Sequence, residues 1–405
     1  MTSVRTGTEE ISKNPGREEE ETTVAIGIPT LMAGGTEIQT LTIARALISG
    51  GYRVVVCCYH EYLDDVVETF QESGIDVRLL RIPRPEKLLG LFALIPKLAR
   101  EYRKMRPDVA HIQYMAPGLL AVLAARIAGV RVVFATVHQP GRTYGIKARM
   151  LLRVAAKMSK AFQCISLSVE KSWFGTCSMF DSSSAIRLRH FTIYNAVDAK
   201  EIARCADMGR HEGLRLKLGL DKCLVIGCTG RLRTEKGQMF LIEAMTRVAG
   251  SLPSARLLLI GDGPDSEGIA NKIDELGLQE IVIRLGGMNH NDAMRHLGAM
   301  DVMAIPSLFE GFGLVAAESM ASGLPVVASN VDGLAEVIVH GETGMLVPPR
   351  DCEALAEALI FLLTDPKARK QYSENAVTRI EKLFSIERFS ESMLGMYQAY
   401  TPKWD

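Results

Sequence analysis

Short unbroken apolar runs recur along the chain, each closed by a turn and followed by a stretch with helical spacing. The first set is VAIGIP (24–29), RVVVCCY (53–59), DVRLLRI (76–82), DVAHIQ (108–113), RVVFATVH (131–138), AFQCIS (161–166) and FTIYNA (191–196). Runs that do not alternate with polar residues predict strands covered on both faces, hence parallel strands with helices as crossovers. A second set restarts the pattern with CLVIGCTG (223–230), ARLLLIGDG (255–263) and IVIRLGG (281–287), then Val302–Ile305 and Val326–Ser329. Helices are predicted over about 37–49, 314–322 and 386–400. The expected fold class is α/β: two Rossmann-like, doubly wound parallel-sheet domains facing each other across a cleft. Residues 23–200 form the first domain and 201–385 the second. The last segment, 386–405, is able to pack on either. Residues 1–22 read as a disordered acidic tail.

Composition changes this picture little. Of 405 residues, 47% are hydrophobic and 23% charged, ordinary values for a water-soluble chain with full cores. The eight cysteines make no CxxC or His-rich pattern and read as small core residues of a reducing compartment. No apolar run is long enough to span a bilayer and the first residues lack an apolar signal core, so a cytoplasmic location is expected. Charge is more informative. The zero net charge conceals −3 over residues 1–22, +9 over 23–198 and −6 over 199–405. One basic domain therefore faces one acidic domain.

Candidate chemistry collects after the strands. In an open α/β sheet, ligands bind beyond the carboxyl ends of the strands. Gly34 and Gly35 lie there after the first strand, where glycine permits positive φ and close approach to a ligand. Arg231 and Lys236, in TGRLRTEKGQ, follow the first strand of the second block and suit a diphosphate, one as a fork and one as a point charge. In SLFEGFGLVAAE, amides around Gly311, Phe312, Gly313 and Leu314 open a helix and attract phosphate. Glu310 and Glu318 flank that junction; as carboxylates they accept hydrogen bonds from sugar and ribose hydroxyls. His138 ends a strand at the cleft, whereas His111 reads equally well as a satisfied core residue. Phosphate donors beside hydroxyl acceptors suggest a nucleotide-sugar site. The chain has no P-loop, no complete GxGxxG and no Asp-x-Asp pair, so neither a dinucleotide fingerprint nor a metal site is expected.

The motifs GGTEIQTLTIARAL, the strand-end His138, NAVD (195–198), GRLRTEKG, GDGP and EGFGLVAAE followed by ASGLPVVAS resemble glycosyltransferase family 4. The resemblance covers about residues 24 to 400. It implies the GT-B fold and a retaining glycosyltransferase that requires no metal and no cofactor. It further implies that Arg231 and Lys236 bind the donor diphosphate, Glu310 the donor sugar and Glu318 the ribose. Gly34 and Gly35 would lie against the phosphates, Asn195 in the binding cleft, and His138 near the reacting sugar carbon. The family often carries His-x-His where this chain has His111-Ile-Gln113, a departure on the acceptor side. The expected donor is a UDP-sugar, with a GDP-sugar as the alternative. The expected acceptor is a saccharide or a lipid-linked one, in surface polysaccharide or glycolipid assembly; no nucleic acid is implied. Two other classes fit the same cleft: a sugar-nucleotide 2-epimerase and a non-catalytic sugar-nucleotide-binding protein.

Finally, residues 141–162 carry six basic residues and no acidic one. At helical spacing Met150, Leu151, Val154, Met158, Ala161 and Phe162 share one face, while Arg149, Arg153, Lys157 and Lys160 line the other. Such a helix either packs on its sheet or lies on anionic lipid. The basic balance of the first domain favours peripheral contact with the inner face of the cell membrane.

Overall fold

The computed structural model describes residues 21–32, 34–84, 92–114, 118–183 and 188–401. The expected acidic tail lies, but for its last two residues, outside this range, as do the final four residues of the C-terminal segment.

Two parallel sheets form. The first runs β1 (Thr23–Ile28), β2 (Arg53–Cys58), β3 (Asp76–Leu79), β4 (Val109–Tyr114), β5 (Val132–Val137), β6 (Ala161–Cys164) and β7 (His190–Thr192), in the spatial order β3-β2-β1-β4-β5-β6-β7. The second contains β8 (Leu224–Thr229), β9 (Ala255–Ile260), β10 (Val282–Gly286), β11 (Val302–Ile305), β12 (Val326–Ser329) and β13 (Gly344–Val347), ordered β10-β9-β8-β11-β12-β13. The order reverses between β1 and β4 in one sheet and between β8 and β11 in the other. These reversals splay the flanking loops apart and open a crevice. Both sheets are doubly wound α/β layers, as the unbroken apolar runs required.

Alternation along the strands sends odd and even residues to different cores. In the first sheet Val24, Ile26, Ile28 and Val109 pack under the helices Gly35–Ser49, Asp64–Glu72 and Ile386–Tyr400. Ala25, Val55, Ala110, Ile112 and Val133 face the helices Leu94–Met105, Gly118–Ile127 and Ile146–Met158. Each such Val or Ile, removed from water, contributes about 1.5–3 kcal/mol.

The C-terminal helix resolves an open choice. It packs on the first sheet, where Met393, Met396 and Tyr397 are fully buried. A buried polar relay fixes it there. The Tyr397 hydroxyl donates to His111 Nδ1 (2.9 Å), His111 Nε2 donates to Thr136 Oγ1 (2.7 Å), and Thr136 donates to Gln163 Oε1 (2.9 Å). His111 is therefore a satisfied core residue, and burial pushes its pKa down to about 3. The chain passes between the sheets twice, at 193–198 and near Ser385, where Val197 N donates to Phe384 O (3.0 Å).

Three local expectations change. β13 was not foreseen, because Gly344–Val347 is short and begins with glycine. FTIYNA stops being strand after Thr192 and becomes the linker. The basic helix ends at Met158, so Ala161 and Phe162 belong to β6 and are buried.

Candidate functional site

Three loops that carry candidate residues leave strands at the two points of reversed order, and His138 follows a strand beside one of those points. Loop 29–34 follows β1, loop 230–237 follows β8 and loop 306–313 follows β11; His138 follows β5. The two sheets thus present their switch points to each other.

Within the second domain, Lys236 Nζ meets Glu310 Oε2 at 2.6 Å. Burial works against the ammonium, but the Glu310 carboxylate outweighs it and holds the lysine pKa above its ordinary value. The loops beneath them are clamped, with Leu308 N donating to Glu235 O (2.8 Å). The helix Leu314–Ala321 starts at Gly313, whose φ of +98° suits glycine, and no side chain caps its first turn. Glu318 is buried on that helix. Burial raises its pKa, against the pull of His290, whose Nε2 lies 3.7 Å from Oε1. A carboxylate held dry in this way gains from any hydroxyl that donates to it.

Across the cleft, a Cβ on Gly34 would lie 3.4 Å from the Arg231 guanidinium, and one on Gly35 would lie 2.9 Å from Leu314. The glycine pair therefore does meet the second domain. The reason differs from the expectation, because Gly34 is extended (φ −169°) and neither glycine has positive φ. What matters is the missing side chain. Beside them Glu37 is buried, accepting from Met32 N (3.2 Å) and Thr30 Oγ1 (3.4 Å); burial raises its pKa although Arg231 pulls it down.

His138 is buried, and burial pushes its pKa down to about 4, so the ring is neutral. Its Nε2 donates to Gln113 Oε1 at 2.7 Å. A Cβ on Gly311 would clash with the His138 carbonyl oxygen, so only glycine lets the two domains close here. Ser166 Oγ donates to Gly311 O (2.6 Å) in the same contact.

Two further candidates have buried side chains. The Phe312 ring is buried against Tyr194 (6.1 Å) and Phe384 (5.3 Å) and anchors the loop in the core, leaving its backbone to the cleft. Asn195 is buried in the linker, next to Ala196, which exchanges two hydrogen bonds with Gln39 (2.7 and 3.3 Å).

Several residues of this junction gave no separate signal in the sequence. Asp332 Oδ2 accepts from Arg142 (2.6 Å) and from Glu310 N (3.3 Å), and Arg142 also donates to Leu308 O (3.2 Å). Glu336 accepts from Leu167 N (2.9 Å) and Ser168 N (2.6 Å), capping the helix Leu167–Phe174 from the opposite domain. Only the fold brings positions so far apart in sequence together. Gln113 was visible in the chain as a departure from His-x-His, and Glu37 as part of GGTE.

A family model described as Glycosyltransferase Family 4 matches residues 33–177, and one described as Glycosyl transferases group 1 matches residues 214–379. A GDP-mannose-dependent alpha-(1-6)-phosphatidylinositol monomannoside mannosyltransferase of Mycolicibacterium smegmatis is 30% identical over 271 residues, 64% of this chain and 69% of that protein. The chain belongs to glycosyltransferase family 4.

Other similar proteins agree in extent. The Escherichia coli UDP-Gal:alpha-D-GlcNAc-diphosphoundecaprenol alpha-1,3-galactosyltransferase is 26% identical over 348 residues, covering 83% of this chain and 85% of that one. In structure, HepE of Anabaena in complex with UDP and glucose superposes with a TM-score of 0.78 at 21% identity, covering 94% of this chain and 100% of that one. The fold is therefore the GT-B fold of family 4, a retaining family, and the protein is a glycosyltransferase.

Proposed function

We propose that this family 4 glycosyltransferase moves a hexose or N-acetylhexosamine from a nucleotide diphosphate sugar, with retention, to a saccharide or lipid-linked acceptor in surface polysaccharide or glycolipid assembly. The observation that carries the reading is the Lys236–Glu310 pair, with Arg231 on the same loop as Lys236, at the switch point of the second sheet and opposite Gly34-Gly35. In this reading Arg231, Lys236 and the amides of Gly311, Gly313 and Leu314 stabilise the leaving diphosphate, where negative charge develops. Glu310 accepts from donor-sugar hydroxyls, Glu318 from the ribose, and neutral His138 lies at the reacting carbon.

The proposed domains are the 23–200 acceptor half, joined by the C-terminal helix, and the 201–385 donor half. Closure onto the Gly311–His138 contact excludes water and favours transfer over hydrolysis. A UDP-sugar is the proposed donor, supported by the name of the Escherichia coli relative; the mannosyltransferase named above supports a GDP-sugar as the second candidate. Both printed names also carry a lipid-borne acceptor.

A membrane-facing surface fits such an acceptor. On the helix Ile146–Met158, Leu152, Ala155 and Ala156 pack inward, while Ile146 (78% exposed), Met150 (61%), Leu151 and Val154 face solvent among Lys147, Arg153 and Lys157. Among the described residues no helix is long and apolar enough to cross a membrane. Contact with anionic lipid is accordingly proposed as peripheral, at the inner face of the cell membrane.

The deciding experiment is thermal shift with UDP, GDP, ADP and CMP, followed by sugar transfer from the matching donors. A ligand at 100 times its Kd stabilises by about 2.7 kcal/mol. A selective shift together with turnover supports the reading; no shift with any nucleotide overturns it. Product from donor alone, without acceptor, would instead indicate epimerase chemistry.

A further inference from the structure

We infer that Gln113 is a positioning residue that sets the orientation and tautomer of His138 through its Oε1 and offers its amide N–H to a hydroxyl oxygen of the transferred sugar.

Three observations carry this. Gln113 is the next-to-last residue of β4, fully buried at the cleft end of the strand. Its Oε1 accepts from His138 Nε2 at 2.7 Å. Its Nε2 has no hydrogen-bond partner among the described residues. A buried N–H without a partner forfeits its hydration with nothing in return, and such groups are rare in native proteins.

The neighbouring residues show that the vacancy is not general. Side-chain alternation brings His111 and Gln113 of β4, Thr136 of β5 and Gln163 of β6 to one sheet face, the one covered by the helix Gly35–Ser49. Every polar side-chain atom of Gln113's neighbours in that row is used. Tyr397, His111, Thr136 and Gln163 form one directed chain, and Gln163 Nε2 ends it on Ile193 O (3.4 Å). The unmet donor is at the cleft end, beside the histidine whose carbonyl oxygen abuts Gly311.

The chemistry of the pair follows. An amide oxygen only accepts, so it holds the proton on Nε2 and leaves Nδ1 as a lone pair. The ring is thereby fixed in one tautomer and one rotation before any sugar arrives, which is what a positioned group needs. The amide N–H, pointing from the same planar group, is a neutral donor suited to a neutral oxygen acceptor such as a sugar hydroxyl. This second half rests on the transferase reading of the cleft; the first does not.

The test uses the full-length protein and Gln113→Leu, with Gln113→Met as a second variant should leucine disturb folding. Nitrogen NMR of the His138 ring reads the tautomer without any activity. The expected result is Nε2–H in the wild type and a mixed or Nδ1–H population in the variants. A wild-type ring protonated on Nδ1 would overturn the positioning role. Kinetics read the other half: the variants should bind the nucleoside diphosphate within about twofold of wild type, yet lose on the order of 10-fold or more in kcat. With a series of deoxy-sugar donors, removing one hydroxyl should slow the wild type and leave Gln113→Leu no slower than it already is. Penalties that simply multiply at every hydroxyl, or an unchanged kcat, would sink the sugar contact. If wild type bound no nucleotide and transferred nothing, the transferase reading would fall while the tautomer result still stood.

Discussion

Lys236 Nζ lies 2.6 Å from Glu310 Oε2, a bond between loops that follow β8 and β11, the two strands between which the strand order of the second sheet reverses. It joins the cation proposed for the leaving diphosphate to the carboxylate proposed for the sugar. Each therefore fixes the other's position. Lys236→Ala and Glu310→Ala should each lower transfer by at least ~10²-fold, measured as kcat/KM with the matched donor. Near-wild-type turnover in either variant would remove the pair from the machinery.

Glu336 ties the domains from the opposite side of the loop, by accepting from Leu167 N and Ser168 N. Hydrogen bonds to a charged group are worth about 1.5–3 kcal/mol. Glu336→Ala should therefore loosen closure, lowering kcat on the order of 10-fold and increasing the radius measured by X-ray scattering in solution. An unchanged kcat and scattering profile would show that this contact does not govern closure.

Acid should weaken the first domain through its neutral histidines. Burial pushes His111 down to about 3 and His138 down to about 4, from an ordinary value of 6.5. Below 6.5 the unfolded chain takes up protons that the folded chain refuses. Their contribution to stability is thus complete above pH 6.5 and is lost as pH falls toward 4 and 3. Between pH 7.5 and 5.5 each costs about 1.4 kcal/mol. Glu37 and Glu318, raised by burial, act in the opposite direction, so the useful comparison is with His111→Gln. Urea unfolding should show that variant losing about 1.4 kcal/mol less than wild type over this range. Identical pH dependence would refute the linkage.

The helix Ile146–Met158 gives the lipid prediction. Wild type should sediment with anionic vesicles at low salt and be released by high salt. Lys147→Gln with Lys157→Gln should weaken binding roughly 30-fold, since each cation near the surface is worth about 1 kcal/mol. Ile146→Ser should weaken it further with no change in Tm, because that side chain is largely exposed. Absence of vesicle binding by the wild type would end the membrane proposal.

Much of this was legible before folding. The strands Val302–Ile305 and Val326–Ser329 and the helix Ile386–Tyr400 fall where the apolar pattern put them. Other points were left for context to decide. Met150, Leu151 and Val154 form an apolar stripe that faces solvent, because Leu152, Ala155 and Ala156 already fill the sheet contact. Phe312 sits in a motif of cleft residues yet turns its ring into the core. Gly34 and Gly35 were read for backbone freedom and serve by having no side chain.

The sequence by itself determined two doubly wound sheets and the chemical character of the loops after their strands, because periodicity, turn residues and charge are local properties. It carried Arg231, Lys236, Glu310 and Glu318 as the set proposed to meet phosphates and hydroxyls. Tertiary structure alone decided which of these meet. The bond from Lys236 to Glu310, the strap from Arg142 to Asp332, the cap from Glu336 to the helix Leu167–Phe174 and the hydrogen bond from His138 to Gln113 all join residues distant along the chain. No local spacing encodes such pairs: Lys236–Glu310 and His138–Gln113 form when strands distant in sequence align within one sheet, and Arg142–Asp332 and the Glu336 cap form only when the two sheets meet.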